Sequence, residues 1–111
     1  MQFKMASSWY ARLRGLLKRK PMWLGRGGVL LLTPCRSVHT FGMRYRIDIA
    51  FADEAGSILK SVENVKPGRI IKCPRATMTL ERFTPGQGLA LASTDDPWLA
   101  TGEQICLSTA K

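Results

Sequence analysis

Apolar and polar residues alternate with a period of two in several short segments after residue 28 of the chain. In residues 47–52 the sequence IDIAFA places a large apolar side chain at every second position, which is typical of a strand with one face in the core. A turn at residues 53–56 makes residues 57–62 the hairpin partner of that strand. Strands are predicted at 29–32, 47–52, 57–62, 70–71, 76–83 and 104–108.

A helical periodicity precedes these strands. Apolar residues recur on one side of the segment before Pro21, and basic residues occupy the other side. The apolar positions are Trp9, Leu13, Leu16 and Leu17. Pro21 ends the predicted helix because its ring clashes with the preceding turn, and Gly15 is expected to let the helix approach the sheet closely. The fold class predicted is mostly β (α+β), a small curled sheet or β-barrel-like domain with one N-terminal amphipathic helix.

Length and composition indicate a single domain over residues 1–111. A chain of 111 residues can bury roughly two thirds of its unfolded surface. An apolar fraction of 45% with 23% charged residues excludes a disordered tail. No apolar run approaches the ~20 residues of a membrane span, and the first residues lack the apolar stretch of a secretory signal. We therefore expect a cytoplasmic protein without a membrane span.

The formal net charge of +9, from 17 Lys and Arg against 8 Asp and Glu, favours anionic partners. The basic residues fall into groups at 12–20, 36–46 and 60–75, which is more typical of a solvated basic surface than of one dedicated groove. No helix-turn-helix, zinc-finger or aromatic ribonucleoprotein motif is present. A basic nucleic-acid-binding module is therefore an alternative, ranked behind a domain that binds a small molecule or a protein.

The cysteine count argues against disulfides and structural zinc. Three cysteines form no Cys-x-x-Cys pair, and the chain has a single histidine. We therefore expect the thiols of Cys35, Cys73 and Cys106 to be reduced, and we predict no metal and no cofactor.

Residues 33–51 concentrate the reactive side chains of the chain. One interpretation is a thiol nucleophile, Cys35, that is activated by His39 and oriented through Asp48. However, Cys35 and His39 are only four residues apart, and no oxyanion-hole glycine pattern is evident. A metal site that adds Glu81 to these residues would have no diagnostic ligand spacing. Packing, backbone hydrogen bonding and ion pairing are the simpler roles for all of them.

The function that the sequence favours is a small non-enzymatic binding or accessory domain. Polar groups clustered among apolar ones predict a polar pocket at a barrel edge. The alternative is a hydrolase-like or thiol enzyme that uses Cys35, His39 and Asp48. The predicted ligand-binding residues are His39, Phe41, Met43, Asp48, Glu81 and Arg12. Trp98 is expected either to cap the barrel or to contact a partner.

Asp48 is expected to be paired rather than free. The strand pattern places it on the same face as Ala50 and Ala52, which is partly covered, and an unpaired buried carboxylate costs several kcal/mol. The expected donors are an arginine or the histidine of the neighbouring loop, namely Arg12, Arg44, Arg46 or His39.

Four separated motifs occur in order, followed by a Gly-Glu turn at 102–103. They are RLRGLLKR at 12–19, VHTFGM at 38–43, IDIAF at 47–51 and ATMTLE at 76–81. In this order they resemble the bacterial and archaeal domain-of-unknown-function family 192, also called uncharacterised protein family 0127, over about residues 9–107. The resemblance implies a compact β-barrel-like domain and no established activity. The chain departs from the family pattern at Leu17, where the family usually has Met, and in the longer segment 89–99.

Overall fold

The computed structural model describes residues 2–6, 15–17, 21–24, 28–87 and 97–105. In chain order the elements are strand β1 (Gln2–Ala6), helix α1 (Pro21–Leu24) and strands β2 (Gly28–Leu32), β3 (Ser37–His39), β4 (Ile47–Ala52), β5 (Ile58–Val65), β6 (Ile70–Lys72) and β7 (Met78–Phe83).

Five strands of the described part of the chain form the main sheet, in the order β1-β2-β7-β4-β5. Strand β1 pairs with β2 in parallel, and every other neighbouring pair in this sheet is antiparallel. All six residues of β4 are buried, as are the five residues of β2, because both sides of the sheet are covered.

The alternation along β4 separates two cores, one on each side of the main sheet. We call the side that carries Ile47, Ile49 and Phe51 the front, and the side that carries Ala50 and Ala52 the back. The same period of two continues in neighbouring strands, so large aliphatic residues of β2 supply both cores.

A separate two-stranded ribbon of β3 and β6 covers the front. Its strands are antiparallel, with Ser37 opposite Lys72, Val38 opposite Ile71, and His39 opposite Ile70. Val38 and Ile71 pack against the front core. Directly opposed residues point the same way in such a pair, so the other two pairs form the outward side of the ribbon. Their four side chains are exposed.

The mostly β class and the hairpin that follows residues 47–52 are confirmed. The β-barrel-like closure is wrong. Among the described strands, β1 and β5 stand at opposite edges of an open sheet, and the ribbon lies over one side of it. A barrel needs its edge strands to pair with each other. Strand β1 was not predicted, and of the predicted closing strand Gln104 forms a single bridge with Ser57 while residues 106–108 lie outside the described residues.

The predicted N-terminal amphipathic helix is also wrong in the part that is described. Residues 15–17 form a turn, and Gly15 has a φ of 51°, in the left-handed region that a right-handed helix does not use. The remaining positions of that prediction lie outside the described residues. The only helix in the described ranges is α1, which begins at Pro21, because proline fits the first helical turn where its missing N–H is not needed.

No helix within the described ranges is long and apolar enough to cross a membrane. The cytoplasmic location stays a prediction.

Candidate functional site

The outward side of the ribbon carries a contiguous apolar and aromatic cluster. His39 stands opposite Ile70, and the His39 ring lies 5.6 Å from the ring of Phe41, centroid to centroid. Phe41 is 50% exposed and Ile70 is 57% exposed. The third large exposed hydrophobic residue in the described part, Met5, belongs to β1 and not to the ribbon. We call the surface formed by His39, Phe41 and Ile70 the ribbon face. Clustered rather than scattered exposed apolar groups indicate a contact surface.

Basic side chains surround the ribbon face. The two segments that build the ribbon, residues 33–46 and 66–77, contain three arginines and four Lys or Arg residues respectively, and no Asp or Glu. The exposed members are Arg36, Arg44, Lys66, Arg69, Lys72 and Arg75. With no acidic side chain in either segment to offset them, these residues give the surface a positive potential.

The loop that carries Phe41 is held by Thr40, which is fully buried. The Thr40 hydroxyl donates to the carbonyl of Lys66 (2.7 Å) and accepts from the N–H of Arg69 (2.8 Å). The backbone N–H of Thr40 donates to the carbonyl of Arg69 (2.8 Å), and the Thr40 carbonyl accepts from Gly68 and Met43 at 3.1 and 3.2 Å. Every polar group of Thr40 is thus used to join the loop after β3 to the loop before β6.

The underside of the same loop packs on the front core. Met43 is buried there, and it is therefore a core residue rather than an accessible ligand contact. Gly42 has a φ of 81°, and a methyl group of Leu17 lies 3.2 Å from the position that a Cβ on Gly42 would take. The turn at residues 15–17 and the loop after β3 are therefore in contact.

Glu81 lies on the front of the main sheet and is only 3% exposed. The backbone N–H of Leu16 donates to its carboxylate. Glu81 Oε1 lies 3.0 Å from the position of a Cβ on Gly15, and it has no hydrogen-bond partner among the described residues. Burial raises the pKa of Glu81 to about 7, and the hydrogen bond from Leu16 partly opposes that rise. Glu81 therefore fastens the Gly15 turn to the sheet, beneath the surface.

Asp48 is paired, as expected, but with a donor that was not predicted. It is 1% exposed, and its Oδ2 accepts from Arg82 Nε at 2.7 Å. Its Oδ1 accepts from the Thr84 hydroxyl (2.7 Å) and from the N–H of Asn64 (2.8 Å). Arg82 stands directly opposite Asp48 across β4 and β7. Of the predicted donors, Arg44 and Arg46 do not hold this carboxylate, and Arg12 lies outside the described residues.

Trp98 closes the back core over this ion pair. The Arg82 guanidinium lies 4.9 Å from the Trp98 ring centroid, and the Trp98 indole N–H donates to the carbonyl of Ile49 at 3.0 Å. Trp98 is buried, so it caps the back of the sheet.

The structure does not bring together the residues of the thiol-enzyme interpretation. Asp48 belongs to the back of the sheet, whereas Cys35 packs against the front core and donates from its thiol to the carbonyl of Ser37 at 3.4 Å. The side chain of His39 points outward from the ribbon. Cys35 and Cys73 are free thiols, and Cys106 lies outside the described residues.

The residues of the metal-site interpretation are also separated in the structure. Asp48 and Glu81 lie on opposite sides of the main sheet. Asp48 is on the back, two residues before Ala50 in β4, and Glu81 is on the front, directly opposite Ile49. Within the described ranges, no group of three or more His, Cys, Asp or Glu side chains is arranged to hold a metal ion.

Of the residues that form or hold the ribbon face, His39 and Phe41 are among the predicted ligand-binding residues, whereas Ile70, Thr40 and Arg69 are not. Two signals were present in the sequence. One is the position of Thr40 between two aromatic residues, His39 and Phe41, and the other is the absence of acidic residues from both ribbon segments.

Two solved structures have a similar fold. One is a protein of unknown function from Novosphingobium aromaticivorans DSM 12444, at 16% identity and a TM-score of 0.63, with 75% of this chain and 63% of that chain covered. The other is described as "a putative transcription regulator" from Sinorhizobium meliloti 1021, at 20% identity and a TM-score of 0.64, with 74% and 67% covered. The chain thus spans less than two thirds of the Novosphingobium protein.

No curated protein matches the chain. The model of the DUF192 family, described as "Uncharacterized ACR", matches residues 1–87, which include the Gly15 turn, the ribbon and Glu81. The chain therefore belongs to the DUF192 family.

Proposed function

We propose that this chain is a small non-enzymatic binding domain that contacts an anionic partner through the ribbon face. The observation that carries the proposal is the exposed cluster of His39, Phe41 and Ile70, set in two segments that contain basic residues and no acidic ones. Apolar side chains supply affinity when they leave water, and the surrounding positive charge attracts and orients an anion.

The loop geometry supports a surface that exists before the partner arrives. Thr40 is fully buried and fixes the loop that carries Phe41 through hydrogen bonds to Lys66 and Arg69. A surface held in this way loses little conformational freedom on binding, so more of the contact free energy appears as affinity.

The predicted pocket is replaced by a surface in this proposal. Met43 and Glu81 are buried in or beneath the front core, and Asp48 is engaged by Arg82 on the back. Of the predicted ligand-binding residues in the described part, His39 and Phe41 remain accessible.

The thiol-enzyme alternative gains no support from the positions of Cys35, His39 and Asp48, which face different parts of the molecule. The Sinorhizobium protein is described as "a putative transcription regulator". A nucleic acid, which a regulator acting directly on DNA or RNA contacts, is one form of the anionic partner proposed.

Chromatography on a heparin column tests the ribbon face with charge-reversal variants. Lys66→Glu removes a positive charge beside the ribbon face, and Lys4→Glu makes the same change in net charge at an exposed position of β1. We expect Lys66→Glu to elute at clearly lower salt than Lys4→Glu, because a lost ion contact lowers both the affinity and its salt dependence. Equal shifts for the two variants, or no retention of the wild type, would overturn the proposal.

A further inference from the structure

We infer that the partner of the ribbon face is a single-stranded nucleic acid, with a base stacked on Phe41 and phosphates held by the basic residues around it. This inference rests on the proposed function and names its partner. It is carried by the position of an exposed aromatic ring within a basic surface, which is the pairing that single-strand-binding proteins use.

The geometry of the ring supports stacking. Phe41 is 50% exposed, and its ring is tilted by 32° from the plane of the His39 ring at 5.6 Å. One neighbour therefore supports the ring while half of the side chain stays open to solvent. A base can cover that open area without a specific hydrogen bond, because every base offers a π-face.

The positions of the cations match the second requirement, contact with the backbone of the strand. Lys66 and Arg69 belong to the loop that Thr40 fastens to the loop of Phe41, and Arg44 lies three residues after Phe41 in the chain. All three are exposed. Both segments of the ribbon therefore supply exposed cations close to Phe41 that could hold the phosphates next to a stacked base, and neither segment has a carboxylate to repel them.

The aromatic component favours a single strand over other anionic partners. In a duplex the bases are already stacked on each other and are not free to stack on a side chain, whereas unpaired bases are. Heparin, polyphosphate and duplex DNA present charge without an accessible planar base. A contribution from the Phe41 ring should therefore appear with single strands alone.

Fluorescence anisotropy with a labelled oligothymidine of about 12 nucleotides, a length within the usual site sizes, tests the inference. Competition with the same sequence in duplex form and with inorganic polyphosphate measures the contribution of charge. The variants are Phe41→Ala, Phe41→Leu and Phe41→Trp, and the matched control is Met5→Ala, which removes a similarly exposed apolar side chain from β1. We expect Phe41→Ala and Phe41→Leu to weaken oligothymidine binding about tenfold or more, and Phe41→Trp and Met5→Ala to keep it. Binding of polyphosphate should be unchanged in all four variants.

The results distinguish a failure of the stacking inference from a failure of the proposed anion-binding function. If duplex and polyphosphate bind as tightly as the single strand, or if Phe41→Leu binds oligothymidine like the wild type, stacking is excluded while the proposed anion-binding surface survives. If none of the three polyanions binds, the proposed function fails as well. Circular dichroism of each variant checks that the half-exposed Phe41 site has been changed without loss of the fold.

Discussion

Thr40 and Arg69 hold each other through two reciprocal hydrogen bonds, each 2.8 Å long. The N–H of Thr40 donates to the carbonyl of Arg69, and the N–H of Arg69 donates to the Thr40 hydroxyl oxygen. These bonds continue the β3–β6 pairing by one step beyond His39 and Ile70. The ribbon face is therefore held at its tip by a buried side chain.

Thr40→Val should loosen the ribbon tip. Valine keeps the shape of the side chain but removes the hydroxyl, which leaves the N–H of Arg69 and the carbonyl of Lys66 without this partner. We expect the free energy of unfolding to fall by about 1–3 kcal/mol, measured by urea denaturation. Thr77→Val is the matched control, because the buried Thr77 hydroxyl has no hydrogen-bond partner among the described residues, so its removal should be neutral or stabilising. Equal losses in the two variants would contradict the role given to Thr40.

Glu81 should make stability depend on pH. Burial raises its pKa from 4.5 to about 7, so the folded chain holds this proton more tightly than the unfolded chain. The stability that the proton confers is fully present below pH 4.5 and is lost as the pH rises through about 7. Glu81→Gln stays uncharged at every pH. Its free energy of unfolding should therefore exceed that of the wild type by an amount that grows to about 3 kcal/mol as the pH rises from 4.5 to about 7.

Urea denaturation of both proteins from pH 4.5 to 8 measures this difference. Glu63→Gln, which removes a carboxylate from an exposed position of β5, controls for the change in net charge. A difference between Glu81→Gln and the wild type that does not vary with pH would show that Glu81 does not titrate in this range.

Gly15→Ala should destabilise the chain for two reasons. Gly15 has a φ of 51°, which alanine adopts at a cost of about 1–2 kcal/mol, and its new Cβ would lie 3.0 Å from Glu81 Oε1. Gly86→Ala shares the positive φ but meets nothing within 4 Å. A larger fall in thermal midpoint for Gly15→Ala than for Gly86→Ala would isolate the contact with Glu81. Equal falls would mean that the backbone conformation alone requires glycine there.

Asp48 and Arg82 should behave as a coupled pair. Replacing Asp48 with alanine leaves the Arg82 guanidinium, whose side chain is only 11% exposed, without its carboxylate. We expect a loss of about 3–5 kcal/mol of unfolding free energy, and the double variant Asp48→Ala with Arg82→Ala should lose less than the sum of the losses in Asp48→Ala and Arg82→Ala. Urea denaturation of the complete double-mutant cycle provides the test. Additive losses would show that the two side chains act independently.

The parts of the main sheet that could be predicted are those that depend on the pattern of neighbouring residues within one strand. The alternation in residues 47–52 identified β4 and placed Asp48 with Ala50 and Ala52, and the structure has that arrangement. The partner of Asp48 could not be read in the same way. Arg82 reaches it through the pairing of β4 with β7, which joins residues far apart in the sequence.

The predictions that were wrong or incomplete, the N-terminal helix and the ribbon, each have a specific structural cause. The spacing of Leu16 and Leu17 fits a helix, but spacing carries no information about φ, and the left-handed conformation of Gly15 excludes one there. Strands β3 and β6 have three residues each, too few for a period of two to be recognised. The chemistry of their side chains is what makes His39 and Phe41 candidates, whereas only the pairing of β3 with β6 places Ile70 beside His39.

The ribbon face is the binding surface proposed for this chain. A ¹H–¹⁵N correlation titration of the wild type with unlabelled oligothymidine at low salt locates the contact residue by residue. We predict amide shift changes concentrated at residues 37–44 and 66–72, with β1 and residues 100–105 unaffected. Shift changes confined to other parts of the chain, or none at saturating oligonucleotide, would show that the ribbon face does not bind the strand.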